Sequence, residues 1–548
     1  MPQKILTAAL ATIALGAVAY HMTTTQYLLV STTAHKSLHL AFILSLVLLG
    51  SLRKSTKLWP ATLLLYAAGL VGVGYMLLFE AELEERYGFP TLEDLAVGVV
   101  LIVVVLEATR RGMGLAIPIL AMFFIGYASF GHYLPPVIRA YDTDFDQLFH
   151  VLTTDGIYGT LLGISANYIF LFVVFGGLLQ ALGISRLFRE IGILVGRAIK
   201  SGPAMMAVVG SGLIGSVTMS PSANIAITGS YTIPLMKSAG YKPHQAAAIE
   251  AAASTGGQIM PPIMSTAAFL MASMTGIAYV RVIAAGFVPA LLYFFAVGIY
   301  AHLQALKLGI VSVRERINWR ELLLESRLFL VPVGVIVSLL VLGFTPMYTV
   351  FWAMIALIVM GLIRGSTRPS FRQWVDGFIN GAVMGAQIGL SLAALGIVVK
   401  VVTITGLGIR LPGIVETLSG GNFLPAMGLI ALVTLILGTG VPTPAAYILV
   451  ALITAPVVIE VFGLSLLQAH YFVFYFAVMS MLTPPVAPAA FVSSALAGST
   501  FMRVAVEQVK PALAGFVLPL AFIWTPMVLG EPKNIWEEMP MLLSLMAA

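Results

Sequence analysis

The chain has 548 residues, 59% of them hydrophobic and only 9% charged, with a mean hydropathy of +1.00, whereas a soluble domain carries about 25% charged residues. Too few polar side chains remain to cover a water-facing surface, so the composition is that of an all-α polytopic membrane protein, with length for on the order of 14 to 18 embedded segments of about 20 residues each. The net charge of +6 comes from Lys and Arg scattered through short loops, which argues against a nucleic-acid partner, and the absence of cysteine excludes disulfides, thiolate metal sites and a cysteine nucleophile.

The first 20 residues, with Lys4 ahead of an apolar run and small residues at Ala17 to Ala19, have the layout both of a first span and of a cleaved leader. Spans are predicted at 5–20, 38–51, 60–79, 95–108 and 113–130. The connections alternate in sign. Arg53, Lys54 and Lys57 mark one loop and Arg110-Arg111 another, whereas Glu80, Glu82, Glu84, Glu85, Glu93 and Asp94 crowd the segment between, and Asp142, Asp144 and Asp146 the next. Basic loops on the cytoplasmic side place the amino terminus inside and both acidic loops outside. The polar stretch 131–150, with Pro135-Pro136, is the seam between a small helical unit, residues 1–135, and a larger one.

Within the larger unit, residues 306–327 carry Lys307, Arg314, Arg316, Arg320 and Arg327 and form a cytoplasmic connector dividing 140–305 from 328–530. Spans at 328–343 and 346–363 lead to the basic loop Arg364 to Arg372. The two halves repeat one another. Ser220-Pro221-Ser222-Ala223 matches Thr443-Pro444-Ala445-Ala446, Gly240 matches Gly463, and Met260-Pro261-Pro262-Ile263 matches Thr483-Pro484-Pro485-Val486, all at one offset.

Each half holds an apolar stretch broken in its middle by small polar residues and proline. Residues 203–236 are flanked on both sides by basic residues, Arg197 and Lys200 before, Lys237 and Lys242 after, and are too few for two crossings. They read as a re-entrant hairpin entering from the cytoplasm. Residues 424–459 lie between Glu416 and Glu460 and break at Gly438-Thr439-Gly440-Val441-Pro442-Thr443-Pro444, so they enter from the opposite side and the repeats are inverted. An unwound backbone in a bilayer is tolerated only inside protein or beside a polar cavity. Its carbonyls and hydroxyls can replace a cation's hydration shell, and its helix amino-termini can face an anion. Ser216, Thr218, Ser220, Ser222 and Asn224 line the first break and Thr439 and Thr443 the second; the competing reading is that these hydroxyls bond their own helices and the prolines are kinks. The Pro-Pro pairs free further carbonyls and make the broken helices natural partners of the tips.

The segments GSVTMSPSANIAITGSYTIPLMKSAGY, EAAASTGGQIMPP, GTGVPTPAAYILVALITAP and AHYFVFYFAVMSMLTPPVAPAA resemble the fused membrane subunit of tripartite ATP-independent periplasmic (TRAP) transporters of the TAXI-associated type. The resemblance covers nearly the whole chain, with 1–135 similar to the small membrane subunit. It implies a secondary, elevator-type importer with a transport domain and a scaffold, seated in the inner membrane. Such an importer takes small organic anions, chiefly carboxylates, from an extracytoplasmic TAXI-type binding protein, and is driven by Na+ or, as the rival within transport, H+. Carried over by motif, one cation site uses Ser216, Ser220 and Ala223 with Gly256, Ile259 and Pro261; a second uses Gly438 and Gly440 with Ser480 and Thr483. Substrate lies between the tips, near Ser220, Ser222, Asn224, Thr439 and Thr443.

Several positions depart from the family pattern. Met219 stands where the first tip usually has Gly, Pro444 where Thr is usual, and Met481 where an Asp often precedes Thr-Pro-Pro. Lys400 interrupts the apolar run Leu390 to Val402, where a Lys costs about 2.5–3.5 kcal/mol on insertion scales. It admits three readings: a replacement for a coupling cation, a partner for a substrate carboxylate, or a side chain snorkelling or paired within the bundle. His470 is either a proton-coupling group or a packing residue. A non-transporting membrane enzyme or scaffold is the rival from another class. No phosphate-binding loop or HExxH motif supports an enzyme.

Overall fold

The computed structural model describes residues 3–27, 30–52, 59–136, 138–197, 201–310, 319–363, 369–531, 538 and 540. The charge markers Arg53, Lys54, Lys57, Lys200, Arg314, Arg316 and Arg364 lie outside the described residues. Among those described there is no strand, and nine helices are long and apolar enough to cross a bilayer. The chain is therefore an all-α polytopic membrane protein.

In order, α1 covers Gln3–Thr24, α2 Thr32–Ser51, α3 Trp59–Leu78, α4 Leu92–Met113 and α5 Ala116–Phe130. Residues 145–181 form a long, locally π-wound span ending in α6, Phe170–Ala181, followed by α7, Ile184–Arg197. Then come α8 Gly202–Thr218, α9 Pro221–Ser238, α10 Pro243–Gly256, α11 Thr266–Thr275 and α12 Tyr279–Lys307. The second half contains α13 Trp319–Val341, α14 Pro346–Ile363, α15 Phe371–Ile404, α16 Leu407–Ser419, α17 Phe423–Gly438 and α18 Thr443–Glu460. It ends with α19 Leu466–Met479, α20 Pro488–Ala497, α21 Phe501–Glu507 and α22 Leu513–Trp524. Helix α13 covers Trp319–Val341, so the last nine residues of the 306–327 connector are helical. Local chemistry sets several starts: Thr91 with Asp94, Ser370 with Gln373 and Ser465 with Gln468 close capping boxes that satisfy orphan amides at the helix ends.

Packing divides the chain into two compact units that are not contiguous in sequence: unit 1 is 1–182, 344–355 and 369–414, and unit 2 is 183–343, 356–368 and 415–548. In unit 1 the long helix α15 packs along α6. A Cβ on Gly177 would lie 2.7 Å from the Gly381 Cα, and one on Gly381 2.7 Å from the Val174 Cα, so only hydrogen fits at the crossing. The Arg110-Arg111 pair clasps Glu107 at 2.6 and 2.7 Å, and Arg111 also reaches the hydroxyls of Ser51 and Thr62. Histidines that look scattered along the sequence meet here: His21 Nε2 and His39 Nδ1 share a hydrogen bond at 2.8 Å, and His39 bonds Ser165 at 2.9 Å.

The repeat extends well beyond the matched prolines. Helices α7 and α16 begin at 184 and 407, α10 and α19 at 243 and 466, and single 3-10 turns follow at 257–259 and 480–482. Pro261-Pro262 and Pro484-Pro485 are both cis, and positive φ recurs at Gly183 and Gly406, Gly240 and Gly463, Met264 and Ala487. Each pair is separated by 223 positions, the offset of the sequence repeat.

Replacing Gly381 with Val should destabilise the protein by about 1–3 kcal/mol or prevent folding, since backbone faces the new side chain. Gly428→Ala on α17, where nothing lies within 4 Å, should leave the melting temperature in detergent unchanged or raise it slightly.

Candidate functional site

Unit 2 contains both broken hairpins. Helices α8 and α9, of 17 and 18 residues, reach only about 25–27 Å at about 1.5 Å per residue, short of a hydrocarbon core of about 30 Å. They pack against each other across a two-residue turn. Met219 closes α8 in the left-handed conformation, φ 55°, with its amide donating to the Gly215 carbonyl. Ser220 then caps α9 by accepting from the Ala223 amide at 3.4 Å, and Pro221 occupies the first helical position, where no amide is needed. In the second hairpin, α17 and α18 have 16 and 18 residues and are joined by residues 439–442, with Gly440 at φ 78°.

Each tip is pressed onto the break of its own half's broken helix. A Cβ on Gly257 would collide with the Gly215 Cα, and a Cβ on Gly438 with the Ser480 Oγ. These are the same contact, one repeat apart. Backbone can approach this closely only where one side lacks a side chain. Gly256, alongside, is covered by the Tyr293 and Phe294 rings. Among the described residues the non-glycine positive-φ residues are Met219, Met264 and Ala487, and all three sit in these breaks. Conformations costing about 1–3 kcal/mol persist where surrounding structure enforces them, and they gather at functional sites.

The hydroxyls divide into two groups. Ser216 donates to the Leu213 carbonyl, Thr439 to Ile436, Ser480 to Ala477 and Thr483 to Met479, each within its own helix at 2.6–2.9 Å. Thr443 instead donates across the unit to Gln258 Oε1 at 3.0 Å, and the Gln258 amide donates to the Met219 carbonyl at 3.3 Å. One side chain thus ties the first tip to the start of α18. Asn224 donates to the carbonyls of Ser211, 2.8 Å, and Ser254, 3.4 Å, leaving its Oδ1 buried without a partner, as are the Thr218 and Thr255 hydroxyls. Ser222 and Ala223 stand half-buried on the first turn of α9, Ile259 is buried in the turn after Gly257, and Pro261 is half-buried beyond it.

Neither Gln258 nor Glu250 stands out from sequence spacing, although an acid in an alanine-rich apolar run is itself a signal. Glu250 on α10 is fully buried and accepts from Ser211 at 2.8 Å, Thr232 at 2.6 Å, Ser254 at 2.9 Å and Thr228. His470 is bonded through Nδ1 to the Tyr447 hydroxyl at 2.7 Å.

Lys400 lies in unit 1, on α15, while the tip residues lie in unit 2. Its ammonium pairs with Asp155 at 2.7 Å, and Asp155 also accepts from the Tyr87 hydroxyl. Lys36, nearby in the same unit, donates to the Tyr158 carbonyl at 2.6 Å.

A polytopic helical protein with two repeated hairpins, each seated against a proline-broken helix, has the architecture of a secondary transporter. The chain matches the family described as "Tripartite ATP-independent periplasmic transporter, DctM component" over residues 100–528, well over half its length, and belongs to that family. No curated protein matches it. Membership makes the chain a TRAP membrane component rather than an enzyme, and implies a periplasmic solute-binding protein as partner.

Met219→Gly should lower thermal stability in detergent by about 1 kcal/mol or more, because loss of a buried side chain outweighs the left-handed penalty of about 1–2 kcal/mol that it removes. For the unit 1 pair, Lys400→Met should destabilise by leaving Asp155 without its cation. The Lys400→Met/Asp155→Asn double variant should recover most of the loss, with a coupling energy of about 1 kcal/mol or more in a double-mutant cycle.

Proposed function

We propose that the chain is an ion-coupled importer of small organic anions, chiefly carboxylates, receiving them from an extracytoplasmic binding protein of the TAXI type and driven by a Na+ or H+ gradient. The observation that carries this reading is the repeated tip contact, Gly215 on Gly257 and Gly438 on Ser480. It assembles two equivalent breaks in one compact unit. Unwound backbone paired in this way supplies carbonyls to a cation and helix amino-termini to a carboxylate.

On this reading unit 2 is the transport unit of an elevator and unit 1 the scaffold, in an inner membrane with the amino terminus cytoplasmic. Substrate contacts fall to Ser220, Ser222, Asn224, Thr439 and Thr443. Ser216, Ser220, Ala223, Gly256, Ile259 and Pro261 would provide one cation site, and Gly438, Gly440, Ser480 and Thr483 the other. The hydroxyls now turned onto their own helices would have to rotate to serve as ligands, which requires no backbone movement. Lys400 is assigned to holding unit 1 together, because its charge is already answered by Asp155.

The test is uptake of radiolabelled succinate into proteoliposomes holding the full chain, with a binding protein encoded beside it, under imposed Na+ or H+ gradients. Accumulation that needs both the gradient and the binding protein is expected. Gly438→Val, which sets a side chain against Ser480, should reduce uptake at least tenfold. Binding of succinate and other dicarboxylates to the partner, measured by calorimetry, identifies the acid carried. Absence of accumulation under every gradient, with the partner loaded, overturns the importer reading.

A further inference from the structure

The α10 carboxylate of Glu250 is fully buried, and among the described residues its side-chain partners are four hydroxyls, with no Lys, Arg or His paired to it. A buried carboxylate must be neutralised or surrounded by donors. Here the donors can serve two charge states. Thr228 Oγ reaches both Glu250 and the Asn224 carbonyl, 2.8 Å, and Thr232 Oγ reaches both Glu250, 2.6 Å, and the Thr228 carbonyl, 2.9 Å. Each threonine has one proton and two acceptors. With Glu250 ionised, both protons point to the carboxylate. With Glu250 protonated, the acid donates to a threonine oxygen and that threonine turns to its own helix. Only hydroxyl rotation separates the two arrangements.

A metal cation fits this cluster poorly. The oxygens lie 2.6–2.9 Å from the carboxylate, in direct hydrogen bonds, whereas a hard cation sits about 2.3–2.6 Å from each of six or more oxygens and forces them apart. Three of the four donors, Ser211 on α8 and Thr228 and Thr232 on α9, belong to the first hairpin. The bonds that respond to the charge of Glu250 therefore also fasten that hairpin to α10.

Most of the surrounding titratable groups are engaged by other partners, and the Tyr231 hydroxyl is buried without one. Tyr231 of α9 is in electrostatic reach of Glu250, with Arg189 of α7 acting on the same phenol. Lys237 of α9 donates to the Ala497 carbonyl, and His244, at the start of α10, is in reach of Glu507, Arg503, Lys242 and Lys510. On α12, Tyr293 donates to Ala252, Tyr300 to Glu507 of α21, and His302 bonds Ser201. Glu507 also pairs with Lys510. On α19, His470 bonds Tyr447 and Tyr471 donates to the Val282 carbonyl. Helices α8 and α20 carry no ionisable side chain.

We propose that Glu250 takes up and releases the coupling proton, an inference resting on the ion-coupled importer reading. An O–H bond forms at a carboxylate oxygen with a proton taken from hydronium on the entry side, and breaks when that proton passes to water on the release side.

Infrared spectroscopy of the purified full chain in Na+-free choline buffer tests the protonation directly. A protonated-carboxyl C=O band should grow in as the pH is lowered and be missing in Glu250→Gln. Thr232→Val, which removes a donor to the anion, should move the midpoint up by about one unit and keeps the test open if Glu250→Gln does not fold. In proteoliposomes, Glu250→Gln should lose succinate accumulation under a proton gradient while retaining succinate exchange. A band that persists in Glu250→Gln, or one that does not change with pH, overturns the proposal. So does accumulation driven by Na+ alone in the wild type, which leaves the importer reading standing. No accumulation under any gradient defeats the importer reading instead, and the infrared titration still decides the protonation of Glu250.

Discussion

A bilayer offers backbone amides and carbonyls no water, so every interruption of a helix inside it has to be answered by protein. The rest of unit 2 is arranged around that requirement. At the first tip the Met219 amide returns to Gly215 and the Met219 carbonyl is taken by Gln258. At the second, the amides of Thr439 and Val441 return to Ile436 and Gly438. In the broken helices, Met260 closes on Gly257 and Thr483 on Ser480. These short turns account for much of the freed backbone, and they bring tip and break so close that the tip side of each contact, Gly215 or Gly438, must be glycine. The backbone at position 219 is left-handed, and Met219 occupies it because the hairpin on either side leaves no other path.

The two halves solve the problem with one backbone and different side chains. One offset relates Gly215 to Gly438 and Gly257 to Ser480, but it also carries Gln258 to Met481, Glu250 to Val473 and Asn224 to Tyr447. The link from Gln258 to Thr443 therefore has no counterpart in the other direction, and Glu250 has no acidic counterpart at the matched position of the second half. Symmetry of the fold provides two similar pockets of unwound backbone. Departure from symmetry in the side chains gives the two breaks different ionisable neighbours, Glu250 in the first half and His470 in the second.

Most of this backbone was legible in the sequence, because prolines and small polar residues in an apolar run mark breaks at 216–224 and 438–444, which the structure narrows to 219–220 and 439–442, and a matched offset marks the repeat. The limits of α13 were less legible. Charges from Arg320 to Arg327 suggest a loop, yet that stretch forms the first turns of a helix. Side-chain partners were not legible at all. Thr443 and Gln258 are 185 positions apart and Lys400 and Asp155 are 245 apart, and no local pattern encodes which polar group meets which across a bundle. The two packed units escape sequence reading for the same reason, since each collects separate stretches of chain. The hydroxyls are an intermediate case. Their presence at the breaks is plain from the sequence, but whether each serves its own helix, as Ser216 and Thr483 do, or another element, as Thr443 does, depends on rotamer and neighbours.

Scarcity of charge gives the few embedded charged groups their meaning, and two of them are handled in opposite ways. Lys400 is met by a carboxylate of fixed opposite sign, so the pair is neutral as a unit and removing either partner exposes the other; such a device holds a structure in one state. Glu250 is met only by hydroxyls, which carry no charge and can face either way. Nothing in that arrangement fixes its protonation, and the energetic difference between its two states is reduced to the orientation of a few protons and the desolvation of one charge. A transporter coupled to protons needs a group whose charge can change without dismantling its surroundings. Placing that group behind the hairpin, bound by residues of α8 and α9, lets a change of one proton alter how firmly the tip is held, while the glycine contacts at the tip itself remain the same.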